Sequence, residues 1–206
     1  LPGAFSVTLG LWMEVGSRDE SPDLGGASHF IEHMAFKGTQ TRGPLQIARE
    51  IELLGGLANA FTSKENTCFH ARALAEHLPR LADLLLDLVL DSVYDPKELE
   101  RERQVILQEI SAVEDTPDDL IHVLFNQNFW PEHPLGRPIL GRAEVIAALG
   151  REAILAYQHA TYRPKSLVVA AVGNLEHQQL SDLVAERLGG LPAGKNGHLR
   201  TPPRPA

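Results

Sequence analysis

The sequence predicts an α+β fold, a two-layer arrangement in which a mostly antiparallel sheet carries helices packed on one face. Three observations lead there. Strand-like runs lie near both ends, Phe5 to Val15 and Ser166 to Val172, and a hairpin pattern lies between them over Leu57 to Ala73. The stretches between read as helices with identifiable starts and stops. A length of 206 residues with 43% hydrophobic content is enough to bury one core, near the upper end of single-domain sizes.

Each element has a local reason. After the first strand, Gly25-Gly26 gives a flexible entry to a helix over Ala27 to Lys37, a stretch without Pro or Gly that stops at Gly38. Pro44 opens a short helix to Leu54, ended by Gly55-Gly56. Leu57 to Thr62, the polar turn Ser63 to Asn66, and Thr67 to Ala73 form the hairpin. Helices follow near 78–91, 96–114 and 117–129. In the first of these, Asp83 and Asp87 cut the apolar run Leu81 to Leu90 at helical spacing, which marks an amphipathic core helix rather than a membrane span. The second begins on an N-cap Asp95, Pro96 at the first helical position and Glu98 at the third, and nothing breaks it before Pro117. A loop rich in Pro and Gly over 131–141 leads to helices at 143–148 and 151–160, a continuously apolar strand at Ser166 to Val172, and a helix at Glu176 to Leu188. Residues 1–191 are expected to form the domain. Residues 192–206, with four prolines and two glycines, read as a linker or tail.

Within the first predicted helix the chain reads His29-Phe30-Ile31-Glu32-His33. Positions i and i+4 stand one above the other on a helix, so His29 and His33 can grip one metal ion with Glu32 beside it. The order H-x-x-E-H is the inverzincin pattern. A catalytic zinc takes three protein ligands and keeps one position for water, so a further donor is needed. The helix from Pro96 supplies candidates: Glu102 and Glu109 are two turns apart and project from one face together with Val105 and Ile106. Glu98 and Glu100 read instead as members of a solvated charge pattern with Arg101 and Arg103.

Wider motifs surround these residues: Val15-Gly16-Ser17-Arg18-Asp19-Glu20, the run Gly26 to Thr39, Gly56 to Thr67, Glu102 to Ile110, His133 to Gly136 with Ile139 to Gly141, and Tyr162-Arg163-Pro164 before Val168 to Asn174. In this order they resemble the pitrilysin (insulinase) family of zinc peptidases, most nearly its bacterial members that are similar to the mitochondrial processing peptidase. The resemblance implies a zinc-dependent endopeptidase with one Zn2+ per chain, acting on extended peptides or presequences. It implies His29, His33 and Glu109 as metal ligands, Glu32 as general base, and Glu102 as an acidic residue that supports the site without touching the metal. By the same resemblance Asn59, Ala60 and Phe61 lie on the strand that pairs with substrate, and an exposed hairpin edge can take an extended peptide as an added strand.

The family pattern also implies what is to be sought elsewhere. Its members begin with a further hairpin and pair such a domain with a second one of similar fold, which contributes an arginine and a tyrosine to the cleft. No residues here match those roles, so the chain reads as the N-terminal catalytic domain only. A second half is expected in cis, or a partner subunit in trans, with homodimerisation as a further expectation. Two alternatives stand beside this reading: a non-catalytic partner or scaffold subunit of a processing-peptidase-like complex, and a ferrous lyase that shares H-x-x-E-H on a smaller domain.

A net charge of −8 argues against nucleic acid and anionic membrane surfaces as partners. The single cysteine, Cys68, allows no internal disulfide and reads as a small core residue. No segment is signal-like or long and apolar enough to span a bilayer, and the chain starts at Leu1, so a targeting segment could have been removed. A soluble, cytoplasmic protein is the expectation.

Overall fold

Alternation along Ser6–Met13 (β1) turns Val7, Leu9, Leu11 and Met13 to one side, where all four are buried. The structure, a computed structural model, describes residues 1, 3–194 and 200–203. β1 lies inside a four-stranded antiparallel sheet between Thr67–Leu74 (β3) and Leu167–Gly173 (β4), while Leu57–Thr62 (β2) pairs only with β3, giving the order β2-β3-β1-β4. β2 is therefore an edge strand.

The helices are Ala27–Ala35 (α1), Pro44–Leu53 (α2), Leu78–Leu90 (α3), Pro96–Asp115 (α4), Pro117–Phe129 (α5), Ala143–Ala148 (α6), Arg151–Thr161 (α7) and His177–Leu188 (α8). α3 lays Leu81, Leu84, Leu85 and Leu88 on the sheet, against β1 and β3, and meets α8 on its other side. α1 sits against β2, β3, α4 and α7, so the helix carrying the histidines is embedded. The layer order and fold class are those predicted, and element ends fall within a few residues of expectation.

β4 is the apolar strand read from the sequence, and it is covered on one face only. It is apolar throughout, yet its burial alternates, with Val168 and Val172 exposed. An antiparallel sheet needs cover on one face only. The opposite face carries Trp12, Phe61, Val168 and Val172, each more than a third exposed, with Trp12 edge-on to Phe61 at 5.5 Å. Cys68, the register partner of Trp12, is 1% exposed, and burial pushes its thiol up to about 11, which suits an inert thiol rather than a nucleophile.

The expected tail over 192–206 lies partly outside the described residues, at 195–199 and 204–206. Its described part folds back: Arg200 pairs with Asp19 at 2.8 Å and donates to the Glu65 carbonyl at 2.7 Å, and the Thr201 carbonyl accepts from Arg18 and lies 3.2 Å from His133 Nε2. Among the described residues no helix is long and apolar enough to cross a membrane.

Candidate metal centre

α1 starts at a residue that needs a left-handed backbone. Gly26 has φ 93°, and a Cβ there would lie 2.6 Å from the Leu140 carbonyl oxygen. The free amides of the first turn are met by Glu20, whose two carboxylate oxygens accept from Gly26 N and Ser28 N, each at 2.7 Å. Glu20 is buried. Burial pushes its carboxyl up to about 7, against the opposing pull of the Ser28 and Gly26 amides and of Arg137. The Ser28 hydroxyl is paired with the Tyr157 hydroxyl at 3.1 Å, which ties the same turn to α7.

One turn on, the i, i+4 spacing places the His29 and His33 rings 4.6 Å apart by centroid. Glu109, from α4, completes a cluster: its Oε2 lies 3.7 Å from His29 Nε2 and 3.6 Å from His33 Nε2, and one donor atom from each residue falls within 4.8 Å of the others. Zinc bonds to nitrogen and carboxylate oxygen run about 2.0–2.2 Å, which for a tetrahedron sets ligand atoms about 3.3–3.6 Å apart. The two separations to Glu109 are close to that, and two imidazoles with a carboxylate are a donor set suited to zinc. Burial pulls His29 down to about 4, with the nearby His33 adding to the effect, so its ring is neutral and able to ligate at neutral pH.

Glu102 lies behind the cluster. Its Oε2 is 3.0 Å from His33 Nδ1 and its Oε1 is 2.7 Å from Lys37 Nζ, so the buried carboxylate is paired on both sides. On α4 the inward stripe is Glu102, Ile106 and Ile110, at four-residue spacing, with Glu109 at its margin. Val105, expected beside them, is 38% exposed because it lies off that stripe. Arg103, expected in a solvated run, is buried: it donates to the Ile146 and Leu149 carbonyls and stands 5.5 Å over the Phe30 ring. Glu98 forms the expected surface pair with Arg101, while Glu100 pairs with the buried Arg103.

Glu32 projects into a cleft of about 760 Å3 whose walls include His29, Phe61, Ile110, Leu120 and Leu140. Its Oε2 accepts from the Thr62 hydroxyl at 2.6 Å, and burial holds its carboxyl above the ordinary carboxylate range. Beside it runs the open edge of β2. The Ser63 amide donates to Asn66 at 2.8 Å, and the alternation of an antiparallel ladder then turns the main-chain groups of Asn59 and Phe61 toward β3 and those of Ala60 and Thr62 toward the open edge. The Asn59 side chain accepts from the Ala60 amide at 2.9 Å. Of the residues read from sequence, His29, Glu32, His33, Glu102 and Glu109 converge, and Asn59, Ala60 and Phe61 lie on the adjoining strand. Glu20, Lys37, Thr62 and Arg103 were not singled out. Lys37 had a signal, four residues after His33, whereas Glu20 and Arg103 meet partners that local spacing does not reveal.

The family model for insulinase, peptidase family M16, matches residues 2–143. The chain belongs to peptidase family M16. A second M16 model, described as the inactive domain of the peptidase, matches residues 148–206. The division between the two matches is not a division of the sheet, since β4 lies in the second and pairs with β1 in the first. Among M16 relatives, the uncharacterized zinc protease YmxG of Bacillus subtilis is 41% identical over 182 residues, 88% of this chain and 44% of its own length. An uncharacterized zinc protease of Streptomyces coelicolor is 43% identical over 87% of this chain and 39% of its own length. The chain thus spans less than half the length of these relatives. The fold is shared with a peptidase M16 inactive domain from Pseudomonas fluorescens (TM-score 0.91, 19% identity, 99% of this chain and 50% of that one). It is shared too with a protease from Helicobacter pylori (TM-score 0.86, 23% identity, 98% and 48%).

Proposed function

We propose that this M16 chain is the catalytic domain of a zinc-dependent endopeptidase that hydrolyses extended peptides or presequences. The observation that carries the reading is the convergence of His29, His33 and Glu109 on one point beside Glu32. His29 and His33 through Nε2, and Glu109 through a carboxylate oxygen, would hold the ion. Zinc supplies Lewis acidity there, lowering the pKa of a water toward neutrality and polarising a carbonyl.

The chain's own residues do the rest. Glu32 takes a proton from the attacking water as the new C–O bond forms, then delivers it to the amine nitrogen as the C–N bond breaks. Glu102 engages His33 Nδ1 and so fixes which nitrogen faces the cluster. The open edge of β2 can bind the peptide as an added strand, with the Ala60 carbonyl as a main-chain partner and its amide as a second once the Asn59 side chain releases it. The apolar walls of the cleft reduce access of bulk water around the reacting groups. A second half in cis, or a partner subunit in trans, would close the other side.

The full-length protein, incubated with an unstructured peptide, should hydrolyse it when zinc-loaded, stop on chelation and recover on adding zinc. A zinc-replete full-length protein that leaves a broad set of unstructured peptides intact would overturn the reading.

A further inference from the structure

We propose that Thr62 is a positioning residue for Glu32: it fixes the carboxylate from the substrate-facing strand and commits one oxygen, leaving Oε1 to move the proton. This inference rests on the peptidase reading. The Thr62 hydroxyl lies 2.6 Å from Glu32 Oε2 and 3.5 Å from the Ser28 carbonyl. A hydroxyl has one proton to donate, and the shorter contact to a carboxylate takes it. Oε2 is thereby an acceptor, while among the described residues no protein donor reaches Oε1.

Place in the fold gives the contact its use. Glu32 is on α1 and Thr62 is the last residue of β2, thirty positions away in sequence. Glutamate has three side-chain torsions, so on a helix alone its carboxylate would sample several directions. Threonine is branched at Cβ and stiff at χ1, so its hydroxyl is a defined anchor. Thr62 also turns its main-chain groups to the open edge of β2, next to Ala60. One residue therefore touches both the strand that would bind the peptide and the base that would act on it, which registers the scissile bond against Oε1.

The test uses the zinc-loaded full-length protein with Thr62→Val, which keeps shape and loses the donor, and Thr62→Ser, which keeps the donor. Thr62→Val should lower kcat roughly 10- to 100-fold with KM within about twofold and zinc content unchanged. Thr62→Ser should restore kcat to within about threefold of the parent, short of complete because serine lacks the stiff rotamer. Equal losses in both variants, an unchanged kcat in Thr62→Val, or a change confined to KM would each overturn the role. A second readout needs no turnover: in selectively threonine-labelled protein, with and without zinc, the Thr62 hydroxyl proton should be slowly exchanging and shifted downfield, and should move upfield in Glu32→Gln. A hydroxyl proton indifferent to Glu32→Gln overturns the contact. Failure of the wild type to cleave any peptide counts against the peptidase reading and the catalytic use of Thr62 together, and the proton resonance then reports separately on the contact.

Discussion

His33 Nδ1 and Glu102 Oε2 lie 3.0 Å apart, joining the helix that carries two of the clustered side chains to the helix that carries the third. With Nδ1 engaged, Nε2 is the nitrogen turned to Glu109. The carboxylate orients the ring, and Lys37 supplies the charge that a buried carboxylate needs.

Glu102→Gln keeps the size of the side chain and removes its charge. Zinc affinity should weaken by about 10- to 100-fold. Competition against a chromophoric chelator measures it; complete loss of metal would place Glu102 among the ligands, and unchanged affinity would make it a bystander.

Glu32→Gln and His33→Ala should separate the two proposed roles. The parent should hold about one zinc per chain, and Glu32→Gln should retain it while turnover falls by roughly 10²–10⁴. His33→Ala should lose both. Elemental analysis with peptide turnover checks this, and stoichiometric zinc in His33→Ala would contradict the ligand set.

Glu20 gives a pH dependence of stability. Its carboxyl stands at about 7 in the folded protein against the usual 4.5. The folded chain therefore holds this proton more tightly than the unfolded one, so the stabilisation is complete below pH 4.5 and is lost as pH rises through about 7. The full span is on the order of 3 kcal/mol. Denaturant unfolding of wild type and Glu20→Gln from pH 4.5 to 8 should show their difference moving against the wild type as pH rises. A flat difference would mean that Glu20 is ionised throughout.

Residues 1–206 alone should be a poor peptidase. The chain spans less than half the length of its zinc protease relatives, and Trp12, Phe61, Val168 and Val172 leave an apolar sheet face open. Turnover of an unstructured peptide should rise on supplying the remaining part of the protein, in cis or by mixing. Equal, efficient turnover in both would show this domain to be sufficient.

The fold was legible because its boundaries are marked locally. Gly26, Gly38, Pro44, Asp95-Pro96 and Pro117 each stop or start an element through backbone geometry that the residue itself imposes. His29, Glu32 and His33 were legible for the same reason, since one helix turn sets their spacing. Glu102 and Glu109 were readable only as two acids on one face, because which side of α4 meets α1 is decided by packing. Arg103 shows the limit: in sequence it belongs to a charge run, and it is buried only because the Ile146 and Leu149 carbonyls and the Phe30 ring come to meet it. β4 was legible as a strand, while its burial was not, as an apolar run does not tell how many of its faces are covered.

His29 and His33 are neighbours on one helix, while Glu109 arrives from another after a long excursion of the chain. An ion shared among them works as a cross-link, available to the native chain and not to the unfolded one. Free zinc at 1,000 times its dissociation constant would then favour the native state by about 4 kcal/mol. A chelator would act on this protein as a mild denaturant, and the metal supply of its surroundings would set its lifetime as well as its rate.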